Sequence, residues 1–391
     1  MQVLSRARRL APALRQPRLL FSGTPSEASQ SPKRSTDVLS VGIHHNRGLP
    51  CYTIQSVASS WTMMQKSFYS SETTTSVIPG NSTDSVKEIY DKIFKSVVEK
   101  RTMSPNAWLW SLMETCANRD DIKLLFDMLQ RLRVFRLSNL RIHENFNESL
   151  CREVTKACVR VGAIDYGKKT LSKHNLFGIS PSIPSAHHLL MYAKQKDDVK
   201  LMEDVMKLIK RNDLPLQPGT ADIVFSICSN TDSWELISKY AKRFIKGGVK
   251  LRRTSFDTWM DFAAKRGDVD SLWKIDTLRS ETTKQHTLVS VFSCSKGMLL
   301  ENKPQEAATL IQSLNQILPD SKKPDIMLEL QKLVNNWPLD VIKRQEDDEH
   351  RKALAVALQN TITTMLSSLT GMGVKADVKM EDLTQKVAIL G

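Results

Sequence analysis

A side-chain pattern returns every 35 residues through the middle of this chain. Ile164, Val199, Trp234 and Val269 stand at that interval. Six residues before each is a small side chain, Cys158, Ala193, Cys228 and Ala263. Ten before is a large apolar one, Val154, Leu189, Val224 and Trp259, and three after come Gly167, Met202, Ile237 and Leu272. A period of this length holds one helix, a turn and a second helix, the unit of an α-solenoid. The small residue marks where helices approach closely. The apolar positions are what such a pair must bury against its neighbours. The expected fold is therefore all-α: a solenoid of about six helix-turn-helix units with a long C-terminal helix.

The register continues outward with slippage. Ile122 repeats it, with Cys116, Leu112 and Leu125 at the matching offsets, but lies 42 residues before Ile164. The segment Arg136-Leu137-Ser138-Asn139-Leu140-Arg141 is therefore read as an inserted loop of one or two turns. Downstream, Ala307 follows Val269 by 38 residues, after the turn at Lys303-Pro304. The domain organisation expected is a leader at 1–69, a linker and lead-in helix at 70–103, the repeat array at 104–325, and a helical cap and tail at 326–391. Within the last part, 339–370 contains neither proline nor glycine and reads as one long helix, charged first and apolar later.

The net charge of +14 must be divided before it is interpreted. Residues 1–69 hold nine Lys or Arg and two acids, a surplus of seven, so the rest of the chain carries 14 − 7 = +7. Arg6, Arg8, Arg9, Arg15 and Arg18 alternate with Leu and Val, and no acid precedes Glu27. That is the pattern of an organellar transit peptide, and the early arginines favour the mitochondrial matrix. Lys66-Ser67-Phe68-Tyr69-Ser70-Ser71 resembles plant mitochondrial cleavage sites. No run approaches the length of a membrane span, so no membrane partner is expected. The six cysteines show no metal-site spacing, and three of them sit at the small buried position, a packing role. No nucleotide-binding, zinc-hydrolase or nucleophile-elbow motif occurs. The chain is expected to be no enzyme, with no catalytic residue, no metal, no cofactor and no small-molecule substrate.

The 35-residue period, with turns Val161-Gly162-Ala163-Ile164-Asp165 and Arg266-Gly267-Asp268-Val269-Asp270, resembles the pentatricopeptide repeat family over roughly 104–325. The whole sequence, including Trp259-Met260-Asp261-Phe262-Ala263-Ala264-Lys265-Arg266-Gly267, is similar to plant mitochondrial ribosomal members of that family. The resemblance implies single-stranded RNA read at one base per repeat by two side chains. The first would be Trp110, Arg152, His187, Asp222 or Asp257; the second, Ser182, Gln217, Arg252 or Thr287. These residues depart from the family's usual Asn, Thr, Ser and Asp pairings, and base-by-base readout is not expected.

Phosphates are the alternative target. Lys242, Arg243, Lys246, Lys250, Arg252 and Arg253 put six cations in twelve residues around Gly247-Gly248. Lys207, Lys210 and Arg211 hold the same late-second-helix place one repeat earlier, and Arg131, Arg133, Arg136 and Arg141 form a further cluster. Cations recurring at one repeat position are the footprint of a nucleic-acid backbone, although helix C-termini favour cations without any ligand. The function expected is a structural subunit of a plant mitochondrial ribosome, of the small subunit in the first instance, with ribosomal RNA and ribosomal proteins as partners. The alternatives are a free organellar factor acting on one transcript, or a protein-only scaffold.

Overall fold

The structure, a computed structural model, describes residues 82–138, 144–172, 176–374 and 378. All of them belong to one compact unit, Thr74–Gly391. Among the described residues every regular element is helical. The leader, including His44-His45 and Cys51, and Arg141 lie outside them, as does most of the tail after Val374.

A lead-in helix, α1 (Asp84–Phe94), ends in a π-turn at Lys95–Glu99. Six helix pairs follow: α2 (Asn106–Thr115) with α3 (Arg119–Ser138), α4 (Glu144–Val161) with α5 (Ile164–Thr170), and α6 (Ile183–Lys196) with α7 (Val199–Arg211). The series continues with α8 (Pro218–Asn230) and α9 (Trp234–Lys246), α10 (Arg253–Arg266) and α11 (Val269–Thr282), then α12 (Leu288–Leu300) and α13 (Pro304–Ile317). Each first helix packs on the next first helix, from α2 to α12, and from α4 onward on its own second helix as well. The core is divided accordingly into three apolar clusters in chain order.

The period is visible in helix starts. First helices begin at 183, 218, 253 and 288; second helices begin at 164, 199, 234, 269 and 304, each 35 apart. Strict spacing thus reaches one unit further than the Ala307 alignment suggests. Pro304 opens α13, because a proline without an N–H is suited to a first helical position, and Ala307 takes the buried place three residues on. The positions at −10 and −6 are all buried, as are those at +3. At Gly167 the reason is steric: a Cβ there would lie 2.9 Å from Leu189 Cδ2. The extra length near Ile122 is carried largely as helix, since α3 runs 20 residues where α7 and α9 run 13.

Turn chemistry maintains the spacing. Gly162, Asp197, Asp232, Gly267 and Asn302 all have positive φ and stand 35 apart. These are residue types that tolerate the left-handed region. Each lets the chain reverse so that the following N–H reaches the first helix's late carbonyl: Ala163 to Cys158 (2.8 Å), Asp198 to Ala193 (2.9 Å), Ser233 to Cys228 (2.8 Å), Asp268 to Ala263 (3.1 Å) and Lys303 to Met298 (2.9 Å). Asp213 and Gly248 do the same at the ends of α7 and α9, where Leu214 N–H reaches Ile209 O and Val249 N–H reaches Phe244 O, and Gly178, 35 residues before Asp213, also has positive φ.

The C-terminal part departs from the single helix expected over 339–370. After α14 (Lys323–Asn335) the chain forms a short α15 (Trp337–Ile342), breaks, and resumes as α16 (Asp348–Gly371). Two local contacts define the break: Asp347 caps α16 by accepting from Glu349 N (3.2 Å), and Arg351 Nε donates to Gln345 O (2.7 Å). α15 packs on α10 and α14 on α12, while α16 packs chiefly on α13 and also on α12. Trp337, buried, donates its indole N–H to Ala264 O at 2.8 Å. Arg344 grips Asp232 through two nitrogens at 2.8 and 2.9 Å. The segment therefore covers α12, α13 and the turns before them rather than adding another pair.

Candidate nucleic-acid interface

Units of equal length and equal turn geometry place the same register position on the same edge. The ends of α7 and α9, with the turns leading into α8 and α10, form one such edge. On it Lys210, Arg211, Lys242, Lys246, Lys250 and Arg253 are exposed and make no hydrogen bond or ion pair among the described residues. Lys207 and Lys242 occupy one register position, Arg211 and Lys246 another. Lys207 is exposed too, within 3.5 Å of Asp204. The opposite edge, where first helices turn into second helices, carries Asp197, Asp198, Asp232, Asp268 and Asp270. The turns on that side also hold Lys194, Lys196, Lys200, Lys265 and Arg266, so both signs of charge are present there, and Arg344 docks among them on Asp232.

Two members of the first cluster have structural work instead. Arg243 is half-buried and donates to Met206 O at 3.2 Å. Arg252 reaches Asp222 at 3.4 Å. The arginines expected in an inserted loop lie on α3 instead, as far as the described residues show. Arg131 binds Asp127 at 2.7 Å and lies 5.0 Å over the Phe94 ring, tying α3 to α1 together with the Tyr90 hydroxyl, which donates to Asp127 at 2.6 Å. Arg133 is half-buried and its Cγ stands 3.1 Å from where a Cβ on Gly178 would be. Arg136 sits in the last turn of α3. Asp127, four residues before Arg131 on the same helix, is a short-range partner, but Phe94, Tyr90 and Gly178 lie on another helix and in a turn far along the chain, where no short-range pattern shows them.

The positions that would read bases are engaged along the array. His187 Nε2 is 2.8 Å from Thr220 Oγ1, and burial holds its imidazole below the usual value. Asp222 accepts from Ser255 (2.5 Å), Thr254 (2.7 Å) and Arg252. Asp257 accepts from Thr287 at 2.5 Å, and burial pushes its carboxyl up. Each of these residues on a first helix thus holds the start of the next first helix. Trp110 meets Phe146 edge-on at 5.9 Å, and Arg152 turns to Glu153 at 3.0 Å. Of the second set, Ser182, Gln217, Arg252 and Thr287 are helix N-cap residues. Carboxylates at a reading position have a mechanical explanation here: they accept hydrogen bonds from the neighbouring unit.

One turn further along α10, Asp261 takes Lys296 at 2.9 Å and Lys265 at 2.7 Å. Burial works against its ionisation, but the Lys296 and Lys265 ammoniums outweigh it and hold the carboxyl below its ordinary value. Asp276, His286 and Cys294 bring ligand-type atoms within 4.8 Å of one another. The buried Arg279 guanidinium sits among them, donating to Asp276 (2.8 Å), Thr283 O (2.8 Å) and His286 Nε2 (3.0 Å). The lone pairs a metal would need are already given to a cation, and the donor set fits the guanidinium. Cys116, Cys158 and Cys228 are buried at the small position, where burial pushes their thiols up, to about 12 for Cys116 and Cys228. They pack rather than react.

No helix among the described residues is long and apolar enough to cross a membrane. Neither a protein-family model nor a curated protein matches the chain.

Proposed function

We propose that the chain is a structural RNA-binding subunit of a plant mitochondrial ribosome, and that its stacked helix pairs form a pentatricopeptide-like α-solenoid. The observation that carries RNA binding is the basic edge: six exposed cations without a hydrogen bond or ion pair among the described residues, two of which, Arg211 and Lys246, share a register over two units. Such a surface recruits phosphates and releases their counterions. The resemblance stated above and the arginine-rich leader support the organelle and the ribosome. Engagement of His187, Asp222 and Asp257 with the next unit favours this reading over a free factor that selects one transcript, since those side chains would have to leave their partners to meet a base.

Sedimentation of the tagged protein from mitochondrial lysate tests the proposal. Co-migration with a ribosomal subunit, lost on ribonuclease treatment, is the expected result. Light fractions alone, under conditions that preserve ribosomes, would overturn it. A protein-only scaffold would keep its associations after ribonuclease.

A further inference from the structure

The basic edge has a composition that selects among forms of RNA. Surfaces that hold a single strand pair cations with exposed aromatic rings, on which unstacked bases lie. Here the aromatic side chains of the two second helices are turned inward. Tyr240 and Phe244 on α9 are buried, Phe256 at the start of α10 is buried, and Trp234 packs edge-on against Phe262 at 5.2 Å. The exposed apolar residue on this edge is Ile245, which has no ring to stack. The base-reading positions are closed by hydrogen bonds to the next unit. What remains open is a set of phosphate donors on rigid helix ends and tight turns.

A base-paired RNA helix presents what such a surface can use and hides what it cannot. Its bases are paired and stacked inward, and its outside is phosphate and 2′-hydroxyl. Cations at one register of two successive helices are held at fixed separation by packing on α8, which suits a stiff ligand better than a flexible strand. Resting on the RNA-binding reading above, we infer that Lys210, Arg211, Lys242, Lys246, Lys250 and Arg253 form a docking surface for double-stranded, A-form RNA, contacted through its backbone without regard to sequence.

The test uses the full chain and fluorescence anisotropy. The probes are a mixed-sequence RNA duplex of about 20 base pairs, long enough to span successive grooves, each of its strands alone, and the matching DNA duplex. The RNA duplex is expected to bind about tenfold more tightly than either strand, with log affinity falling linearly in log salt. K242E/K246E/K250E/R253E, all at exposed unpaired sites, is expected to weaken duplex binding by more than about tenfold and flatten the salt slope by about three. Circular dichroism checks that this variant stays folded. A single strand bound equally or better would overturn the duplex assignment and leave the RNA-binding proposal standing. Equal binding of the DNA duplex would overturn A-form selection. Binding to none of the probes would overturn both proposals.

Discussion

The Asp222 carboxylate on α8 accepts the Ser255 hydroxyl at 2.5 Å, joining a first helix to the start of the next one 33 residues later. Ser255 is buried and Asp222 half-buried, so the bond is partly shielded from water. Replacing Asp222 with Ala strands that hydroxyl and frees Thr254 and Arg252 as well. The cost expected is about 2 kcal/mol in urea denaturation, from an unsatisfied buried group and a lost charge-assisted bond. If Asp222 instead served to read a base, the variant would shift preference among RNA sequences at unchanged stability.

Asp257 and Asp261 lie one turn apart on α10 and should titrate in opposite senses. Asp261 is held below its ordinary value, so its contribution is present above the unfolded carboxyl value of about 3.9 and disappears as pH falls through its lower folded value. Asp257 is held above it. In the window between the two values the folded state binds the extra proton, so stability falls as pH rises. Asp257→Asn should therefore gain on the wild type as pH rises from about 4 towards 7. Urea midpoints measured across that range check the sign; a constant difference would refute it.

Lys296 is buried, and its ammonium is one of two that neutralise Asp261. Lys296→Met should destabilise by about 2 kcal/mol at pH 7, because a largely enclosed carboxylate loses one of its cations. The loss should shrink in acid, as pH falls through the lowered value at which Asp261 takes up a proton. Thermal melts at pH 7 and in acid measure both quantities.

Turn glycines with positive φ predict a graded series. Gly162 has open space where a methyl would stand, so Gly162→Ala should cost about 1 kcal/mol from backbone strain alone. At Gly267 the same methyl would come 3.0 Å from Val341 Cγ1, and Gly267→Ala should cost more and also disturb the seat of α15. Asp197→Gly, at the same register with φ 49°, should be nearly neutral by comparison. Chemical denaturation ranks the three.

Trp337 anchors the C-terminal segment to α10. Trp337→Ala should cost about 3–5 kcal/mol as a buried aromatic lost to a cavity, and should speed proteolysis between Lys343 and Asp347. Arg344→Ala removes an exposed ion pair and should cost under about 1 kcal/mol. Limited proteolysis followed by mass spectrometry separates the two.

The helix pairs, their 35-residue spacing and the buried positions around Ile164, Val199, Trp234 and Val269 were legible in the amino-acid order alone. Amphipathic periodicity and turn residues such as Gly162 and Gly267 are local properties, set within one unit. The left-handed series through Asp197, Asp232 and Asn302 was there to be read too, in Gly, Asp and Asn at fixed spacing. Whether a polar residue is free or engaged was not legible. Arg243 and Lys246 look alike along the chain, yet one donates to Met206 O on the preceding unit and the other is unpaired among the described residues. Asp222 looks like a failed base reader until Ser255 is brought beside it. The fold-back of α15, with Arg344 on Asp232 at a separation of 112 residues, has no local signature. Such contacts depend on how finished helices pack as rigid bodies, and only that packing decides which side chains are left for a ligand.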